Sequence, residues 1–324
     1  MANVFITGGA GFIGSHIARN LVNRGVYNVT LFDAFLNYAN HFNNPYFKCL
    51  DFRLKDLQDK VEIIRGDVRN KLTVWRAMQQ SKPDTVIHLA AMPIAQASSK
   101  FSEEAYEINL TGTRNVLEAV RDTPSVKRVI YASSSMVYGH FNKDEVDEEH
   151  PTNPIEVYGG TKLAAEILIK SYGKNFNIPY TIIRPSAVYG PTDVNRRVTQ
   201  IFVENALKGK PLVMDGGGVS KLDFSYVEDV AEGFINAMES SNAINQTFNI
   251  TRGSARQVRE YAELVVKHIP GSKIEAGPVD TTRPERGTLS IEKARKLIGY
   301  SPTHDIEKGV AKYVAFLKEN NYLA

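Results

Sequence analysis

Tyr158 and Lys162 lie four residues apart in the sequence "YGGTK", which places both side chains on one face of a helix. A free tyrosine has a pKa of about 10 and is therefore a poor base at neutral pH. Two nearby cations in a partly dry site, the Lys162 ammonium being one, would favour the phenolate and lower that pKa. This spacing alone is more often helix surface. Together with the glycine-rich turn and the serine-rich strand end described below, it predicts a tyrosine that exchanges protons with a substrate.

Three hydroxyl side chains, Ser133, Ser134 and Ser135, follow the apolar run "RVIYA" at residues 128–132. Small polar residues often occupy strand ends that face a cofactor, so these serines are candidates for catalysis. They are also compatible with the polar end of a buried strand. Met136, which follows them, has no acid or base function. The residues alone leave the choice between a catalytic and a structural role open.

A glycine-rich turn follows the first apolar run, in "NVFITGGAGFIGS". Gly9, Gly11 and Gly14 match G-x-G-x-x-G, and Gly8, Gly11 and Gly14 match a looser spacing. Such glycines let the backbone approach a pyrophosphate at the start of a helix. Asp33 ends the second apolar run about 20 residues after Gly14, where a carboxylate accepts from ribose hydroxyls and repels a 2′-phosphate. The pattern predicts a dinucleotide site that prefers NAD to NADP.

Further residues are predicted to complete this cofactor site. Asp67 in "GDV" follows the third apolar run and could bond the adenine amino group. Ala90 and Ala91 in "HLAA" would let the dinucleotide pass along their backbone. The whole predicted cofactor site is Gly8, Gly11, Phe12, Ile13, Gly14, Asp33, Asp67, Val68, Leu89, Ala90, Ala91, Tyr158 and Lys162.

Short apolar runs that alternate with amphipathic stretches predict an α/β fold, a doubly wound parallel sheet with helices on both faces. The predicted strands are residues 3–8, 28–33, 61–67, 85–91, 128–134, 180–185 and 243–251. The predicted helices are residues 12–24, 71–81, 103–122, 157–175, 198–208, 256–268, 291–298 and 305–320. Two charge runs, residues 51–60 and 144–150, are interpreted as solvated surface.

Composition narrows the function classes. The chain has 324 residues, of which 43% are hydrophobic, so it is long enough for two lobes. Its 39 basic residues nearly balance 36 acidic ones without a basic stripe, which argues against nucleic-acid binding. Cys49 is the sole cysteine, and the seven histidines form no ligand motif, so no metal site is expected. Without a signal peptide or a membrane-length apolar run, a cytoplasmic protein is expected.

Seven segments together resemble the extended short-chain dehydrogenase/reductase family, in particular its NAD-dependent nucleotide-sugar epimerases and dehydratases. They are "TGGAGFIG", "GDV", "HLAA", "SSSMVYG", "YGGTK", "IIRPSAVYGP" and "DFSYVEDV". The resemblance implies a Rossmann-type NAD-binding domain at residues 1–185, joined by 225–252. It also implies a smaller C-terminal α/β domain at residues 186–324 that binds a nucleotide-sugar.

The resemblance also implies catalytic roles. Ser134, three residues before "VYG", would bond the reacting sugar hydroxyl, with Ser133 and Ser135 supporting it. Tyr158 would be the base, and Lys162 would hold the nicotinamide ribose. The family's 4,6-dehydratases carry Asp and Glu where this chain has Ser135 and Met136, and its decarboxylases typically carry Glu at the second position. The expected activity is therefore NAD-dependent nucleotide-sugar 4-epimerisation through a 4-keto intermediate.

Two departures leave the substrate open. Leu222 in "LDF" replaces an arginine that contacts the diphosphate, and Ala187 replaces an asparagine. Compensating cations could come from Arg196, Arg197, Lys221 or Arg283, the last in "RPER", which loosely matches the family's "RPGD". The predicted substrate-binding residues are Ser134, Ser135, Arg196, Arg197 and Arg283. The nucleotide base and the sugar are not determined by these residues.

Several expectations concern the remaining residues. His88 is expected to be structural, and Asn109 either braces the site or occupies an ordinary helix position. The helices at 103–122 and 157–175 match those that pair as a four-helix bundle in the family's homodimers. Two alternatives stay open. A 4-ketoreductase would use the same three side chains with an exchanging cofactor, and a non-catalytic dinucleotide sensor or scaffold would need none of them.

Overall fold

Strands and helices alternate through the first 185 residues of the computed structural model, which describes residues 1–36, 46–279 and 283–320. The strands are β1 Ala2–Thr7, β2 Tyr27–Asp33, β3 Glu62–Arg65, β4 Thr85–His88, β5 Arg128–Ala132, β6 Glu145–Val146, β7 Tyr180–Pro185, β8 Val188–Tyr189, β9 Leu212–Asp215, β10 Lys221–Leu222, β11 Ser225–Tyr226, β12 Gln246–Ile250, β13 Arg256–Gln257, β14 Ile274–Gly277 and β15 Thr288–Leu289. The helices are α1 Phe12–Arg24, α2 Tyr46–Leu54, α3 Lys71–Ser81, α4 Ala95–Lys100, α5 Ser102–Tyr106, α6 Gly112–Arg121, α7 Val157–Phe176, α8 Val198–Leu207, α9 Val227–Glu239, α10 Val258–His268, α11 Glu292–Ile298 and α12 Ile306–Glu319.

Seven strands form one parallel sheet in the order β12-β7-β5-β4-β1-β2-β3. Val4 on β1 pairs with Val29 on β2 and with Thr85 on β4, so β1 lies inside the sheet. Its inner residues are buried on both faces, as in sheets covered by helices on each side. The prediction of a doubly wound parallel sheet is confirmed, and the predicted strand at 243–251 is β12, at the sheet edge. All carboxyl ends of these strands lie along one edge, where ligands bind in such folds.

The helix predicted at 103–122 is interrupted. α5 is followed by a π-helical turn, Glu107–Thr111, before α6 begins. Within that turn the Asn109 side chain accepts from the Met92 N–H at 2.8 Å and donates to Thr161 Oγ1 at 3.0 Å. A π turn changes the direction in which a side chain leaves the helix. Asn109 therefore braces the loop after β4 against α7.

Several segments differ from the sequence predictions, including the charge run at 144–150, whose Val146 and His150 are buried. No helix was predicted at α9, which packs its apolar face against α1 and the main sheet. The charge run at 51–60, predicted to be solvated surface, begins inside α2, and its Arg53, Leu54 and Leu57 are buried. The remaining charged side chains of this run are exposed and alternate with the buried positions. The run is therefore amphipathic, but its many charges made it resemble a solvated surface in the sequence.

A second core lies in the C-terminal part of the chain, between β8, α8, α10 and α12. Aromatic rings fill it: Tyr189 makes edge-to-face contacts with Phe224, Tyr226 and Tyr261. Edge-to-face packing of large rings buries much apolar area in little volume. This core holds the segments that close the carboxyl edge of the main sheet.

A buried ion pair joins α7 to the main sheet. The Arg184 guanidinium of β7 donates to both Glu166 oxygens, from Nε at 2.9 Å and from Nη2 at 2.7 Å. Ser133, just after β5, donates to Glu166 Oε1 at 2.5 Å. Glu166 is fully buried and Arg184 nearly so. One carboxylate thereby fixes α7, β5 and β7 relative to one another.

Replacing Glu166 with glutamine should lower the free energy of unfolding by about 3 kcal/mol, because Arg184 would keep a buried charge without its counterion. Glu104→Gln is the matched control: it removes an exposed partner of Arg69 and should cost less than about 1 kcal/mol. Urea unfolding of both variants at equal NAD saturation measures the difference. Equal losses in the two variants would contradict the role given to the buried pair.

Candidate active site

The turn after β1 brings backbone and helix unusually close together. Gly8 has a φ of 69°, in the left-handed region, and a Cβ added there would lie 2.8 Å from the Ala90 nitrogen. A Cβ on Gly14 would lie 2.4 Å from the Gly8 oxygen. Gly11 begins α1 without a side-chain cap, so the first N–H groups of the helix have no side-chain acceptor there. The turn leaves room for an anionic group at the helix N-terminus.

Asp33 lies at the end of β2 beside this turn. Its carboxylate accepts from the Ala10 N–H at 3.0 Å and from the Phe35 N–H at 2.8 Å. Burial raises the pKa of Asp33, while these backbone donors and Arg53 oppose the rise. Each oxygen can accept a second hydrogen bond, so the carboxylate can also receive a ribose diol.

Arg53 on α2 is a cleft residue that the sequence analysis missed. Its Nη1 donates to the Ala10 oxygen at 3.3 Å and its Nη2 donates to the Thr192 oxygen at 2.6 Å. Its Nε is buried without a partner among the described residues. A buried guanidinium with an unused donor beside the glycine turn suits an anion such as the pyrophosphate of NAD. The residues present therefore fit that cofactor.

Asp67, predicted to bond adenine, lies on the same side of the cleft. Arg69 donates to it from Nη2 at 2.6 Å. Burial disfavours the Asp67 charge, but the hydrogen bonds and charge of Arg69 outweigh burial and lower the pKa of Asp67. Asp67 is therefore an ionised acceptor at neutral pH.

His88 at the end of β4 is buried in a hydrogen-bond network. Its ring nitrogens contact Thr7 Oγ1 at 2.6 Å and Thr113 Oγ1 at 2.9 Å. Thr7 Oγ1 also accepts from the Ala90 N–H at 3.2 Å. Burial lowers the pKa of His88 to about 3, so the imidazole is neutral. His88 is absent from the cleft lining and ties β1, β4 and α6 together.

Ser134, Tyr158 and Lys162 converge at the carboxyl end of β5. Lys162 Nζ donates to the Ala132 oxygen at 2.7 Å and lies 6.0 Å from the centre of the Tyr158 ring. Ser134 Oγ accepts from the Met136 N–H at 3.2 Å, which caps the short 3-10 turn at Ser135–Tyr138. β5 and α7 thus bring together the hydroxyl, phenol and ammonium groups.

The protonation of this group differs from the sequence expectation. Burial raises the pKa of Tyr158, and the Arg197 charge and a Ser134 hydrogen bond only partly oppose it. Burial also lowers the pKa of Lys162 to about 7, against the attraction of Glu166. In the protein alone the phenol is therefore protonated at neutral pH, because desolvation outweighs the cations. A lowered tyrosine pKa requires an additional positive charge in the site.

One cleft of about 640 Å³ contains the predicted sites. Every predicted cofactor, catalytic and substrate residue lines it, including Ser135, Arg196, Arg197 and Arg283. Lys221, suggested as a compensating cation, is not in the lining and lies 3.8 Å from Asp144. The cleft also contains four charged residues that the sequence analysis did not assign to it: Arg53, Glu156, Asp215 and Arg286.

The three predicted substrate arginines lie at the exposed side of this cleft. Arg196 is 3.7 Å from Glu204, Arg197 is 3.9 Å from Asp193, and Arg283 is 3.4 Å from Asp215. The side chains of Arg196, Arg197 and Arg283 are 53%, 32% and 48% exposed. Leu222, which stands where the family often has arginine, lines the cleft as an apolar residue. The positive charge at this end therefore comes from three other positions.

Comparison with known proteins identifies the class. The family model described as NAD dependent epimerase/dehydratase matches residues 4–251, so the chain belongs to that family. A putative UDP-glucose 4-epimerase of Methanocaldococcus jannaschii is 34% identical over 98% of this chain and 99% of its own length. A dTDP-glucose 4,6-dehydratase of Xanthomonas campestris is 28% identical over 99% of this chain and 94% of its own.

The structural match is equally broad. A UDP-glucuronic acid 4-epimerase from Bacillus cereus, solved with UDP-glucuronic acid and NAD, superposes with a TM-score of 0.90 and 28% identity. The match covers 98% of this chain and 99% of that one. The expectations of an extended short-chain dehydrogenase/reductase, of an NAD-dependent nucleotide-sugar epimerase and of NAD as cofactor are confirmed. None of the described helices has both the length and the apolar character needed to cross a membrane.

Because Asp33 would bond the ribose diol and repel a 2′-phosphate, NAD should bind at least tenfold more tightly than NADP, about 1.4 kcal/mol. Titration of the apoprotein with each cofactor measures this ratio. Asp33→Asn should shrink it, whereas Asp67→Asn, at the adenine end, should weaken both cofactors alike. Equal wild-type affinities for the two cofactors would remove the basis for this assignment.

Proposed function

We propose that this protein interconverts the C4 epimers of nucleotide-linked hexoses or hexuronic acids through a 4-keto intermediate. The observation that carries the proposal is the convergence of Ser134, Tyr158 and Lys162 on the cleft that also contains the glycine turn and Asp33. The epimerases among its relatives support the same activity.

Each side chain has a role that its position allows. NAD, when bound, supplies the acceptor and donor of hydride at sugar C4. The Tyr158 phenolate removes the proton of the C4 hydroxyl and returns it after the ketone has turned over in the cleft. Ser134 aligns that hydroxyl by a hydrogen bond. Lys162, fixed by the Ala132 oxygen, holds the cofactor ribose and stabilises the phenolate by its charge.

The two positions after Ser134 favour epimerisation over elimination. Ser135 has no useful acidity and Met136 has none, so the acid and base that dehydratases place there are missing. Met136 Sδ instead accepts a hydrogen bond from Arg286 Nη1 at 3.5 Å. The next reaction that this cleft favours for a 4-keto sugar is therefore the return of hydride to C4.

We propose further that the protein is a cytoplasmic homodimer. α5 and α7 expose large apolar side chains, among them Tyr106, Ile167 and Phe176, each at least 46% exposed. Such side chains on neighbouring helices favour burial against a second copy as a four-helix bundle. Cys49, the sole cysteine, cannot form an intramolecular disulfide, which agrees with a reducing compartment.

Tyr158→Phe should retain the fold and bound NAD but lower kcat about 10²–10⁴-fold, because general base catalysis is lost. Tyr172→Phe is the matched control on the same helix. Its hydroxyl donates to Glu118 at 2.6 Å, outside the cleft, and its removal should leave kcat within about twofold. Near-native turnover by Tyr158→Phe would refute the assignment of the base.

Incubation with UDP-, dTDP-, GDP- and CDP-linked hexoses and hexuronic acids should interconvert C4 epimers without net NADH or a 4-keto-6-deoxy product. In deuterated water the product should carry no deuterium on carbon, because the C4 hydrogen does not exchange with solvent. Mass spectrometry and NMR locate any label. Deuterium at C3, C5 or C6 would indicate enolisation or elimination. Reduction of a 4-keto sugar with consumption of NADH or NADPH, without epimerisation, would identify a ketoreductase instead.

A further inference from the structure

Arg286 is a cation inside the cleft that the residues around it leave undersatisfied. Its Nη1 donates to Met136 Sδ at 3.5 Å, and a thioether is a weak acceptor. Its Nε is buried without any partner in the part of the chain that the structure describes. Burial lowers the pKa of Arg286 to about 10, the Glu156 charge opposes this change, and the Arg283 charge adds to it.

The backbone that carries Arg286 is fixed on both sides. The Glu285 oxygen accepts from the Phe141 N–H at 2.9 Å, and the Thr288 N–H donates to the Asp144 oxygen at 2.9 Å. Between them, a Cβ on Gly287 would lie 2.5 Å from the Asp144 oxygen, so the segment runs tightly along the loop before β6. Arg286 is therefore held in the cleft by its main chain. A flexible surface arginine could move out to water, and this one is restrained from doing so.

Its position relates it to the reacting sugar. Met136, which it contacts, is two residues beyond Ser134 and donates its N–H to the Ser134 hydroxyl. The Met136 oxygen would lie 2.6 Å from a Cβ on Gly159, the residue next to Tyr158. Arg286 thus contacts the turn that follows Ser134, and the start of α7 packs against the same turn. Arg197 and Arg283 are cations near the same groups, since Arg197 acts on the pKa of Tyr158 and Arg283 on that of Arg286, but each already has a carboxylate partner, Asp193 and Asp215 respectively.

We propose that Arg286 binds a carboxylate on the reacting sugar, so that the preferred substrate of this protein is a nucleotide-linked hexuronic acid. The inference rests on the proposed 4-epimerase function and specifies its substrate class. A partly buried guanidinium whose buried Nε has no acceptor is stabilised when an anion reaches it, and a planar carboxylate matches the donor pair of a guanidinium. A neutral hexose would leave the buried Nε donor of Arg286 without an anionic acceptor.

The test measures selectivity. For the wild type and for Arg286→Gln, kcat/KM is determined with UDP-glucuronic acid and with UDP-glucose. Calorimetry then measures the affinity of the NAD-loaded enzyme for UDP-glucuronic acid, for UDP-glucose and for UDP. The ratio of uronate to hexose kcat/KM should exceed one in the wild type and fall about 10- to 100-fold in Arg286→Gln. Arg286→Lys should restore part of it. UDP affinity should change less than about threefold.

Arg283→Gln is the matched control, since it removes a cation of the exposed side of the cleft. It should weaken both sugar nucleotides and UDP together, leaving the selectivity ratio unchanged. If Arg286→Gln instead weakens UDP and both sugars by one factor, Arg286 binds the diphosphate and the inference fails. A wild type that prefers the neutral hexose also overturns it, while 4-epimerisation of that hexose leaves the proposed function standing.

Two outcomes separate the inference from the proposed function. Conversion of the uronate to a UDP-pentose, with the carboxyl carbon released as CO₂, would refute the 4-epimerase function and still support carboxylate binding at Arg286. If no sugar nucleotide reacts, the binding arm decides. The inference is supported if the wild type binds UDP-glucuronic acid more tightly than UDP-glucose and Arg286→Gln binds the two equally. Equal affinities in the wild type overturn it.

Discussion

The Glu166 carboxylate is the contact on which the geometry of the cleft depends. It receives two hydrogen bonds from Arg184 on β7 and one from Ser133 after β5, while its own helix, α7, carries Tyr158 and Lys162. The two elements that deliver reacting side chains, β5 and α7, therefore meet β7 at one buried ionic group. Ser134 is the neighbour of Ser133, so its position is set by the same contact. A buried pair in which each guanidinium nitrogen donates a hydrogen bond favours one arrangement of these elements, because any other arrangement leaves a charge unpaired.

Burial rather than charge dominates the protonation of the site in the protein alone. It raises the pKa of Tyr158 and lowers that of Lys162 to about 7, although the opposite charges nearby act against both changes. At neutral pH these pKa values keep the Tyr158 phenol and part of the Lys162 amine in their uncharged forms. A bound cofactor that brings positive charge near the phenol would shift the balance towards phenolate. Removal of the substrate proton by Tyr158 therefore depends on a bound cofactor. Without the cofactor the tyrosine stays protonated.

The substrate end of the cleft has a different distribution of charge from that expected of its family. Leu222 removes one cation, and the segment at 283–290 brings two, of which Arg283 is half-exposed and Arg286 faces inward. Leu289, which packs with Val137, Tyr138 and Val146, and the contacts of 285–288 with the loop before β6 hold this segment in place. Specificity in this protein therefore depends on a loop that is fixed by packing, while the chemistry depends on helix α7 and the end of β5.

Local sequence determined the features that depend on steric rules and short periods. Glycine spacing after β1, the position of Asp33, the Tyr158–Lys162 spacing and the alternation of strands and helices all act within a few residues, so the sequence alone predicted the fold class and the cofactor site. The tertiary structure decided what depends on distant pairing. Arg53 lies in a run that reads as charged surface, and Arg286 meets Met136 across 150 residues. The Glu166–Arg184 pair, the π turn at Asn109 and the protonation of Tyr158 also follow from packing. Burial and long-range contacts are set by the whole chain, and no short pattern encodes them.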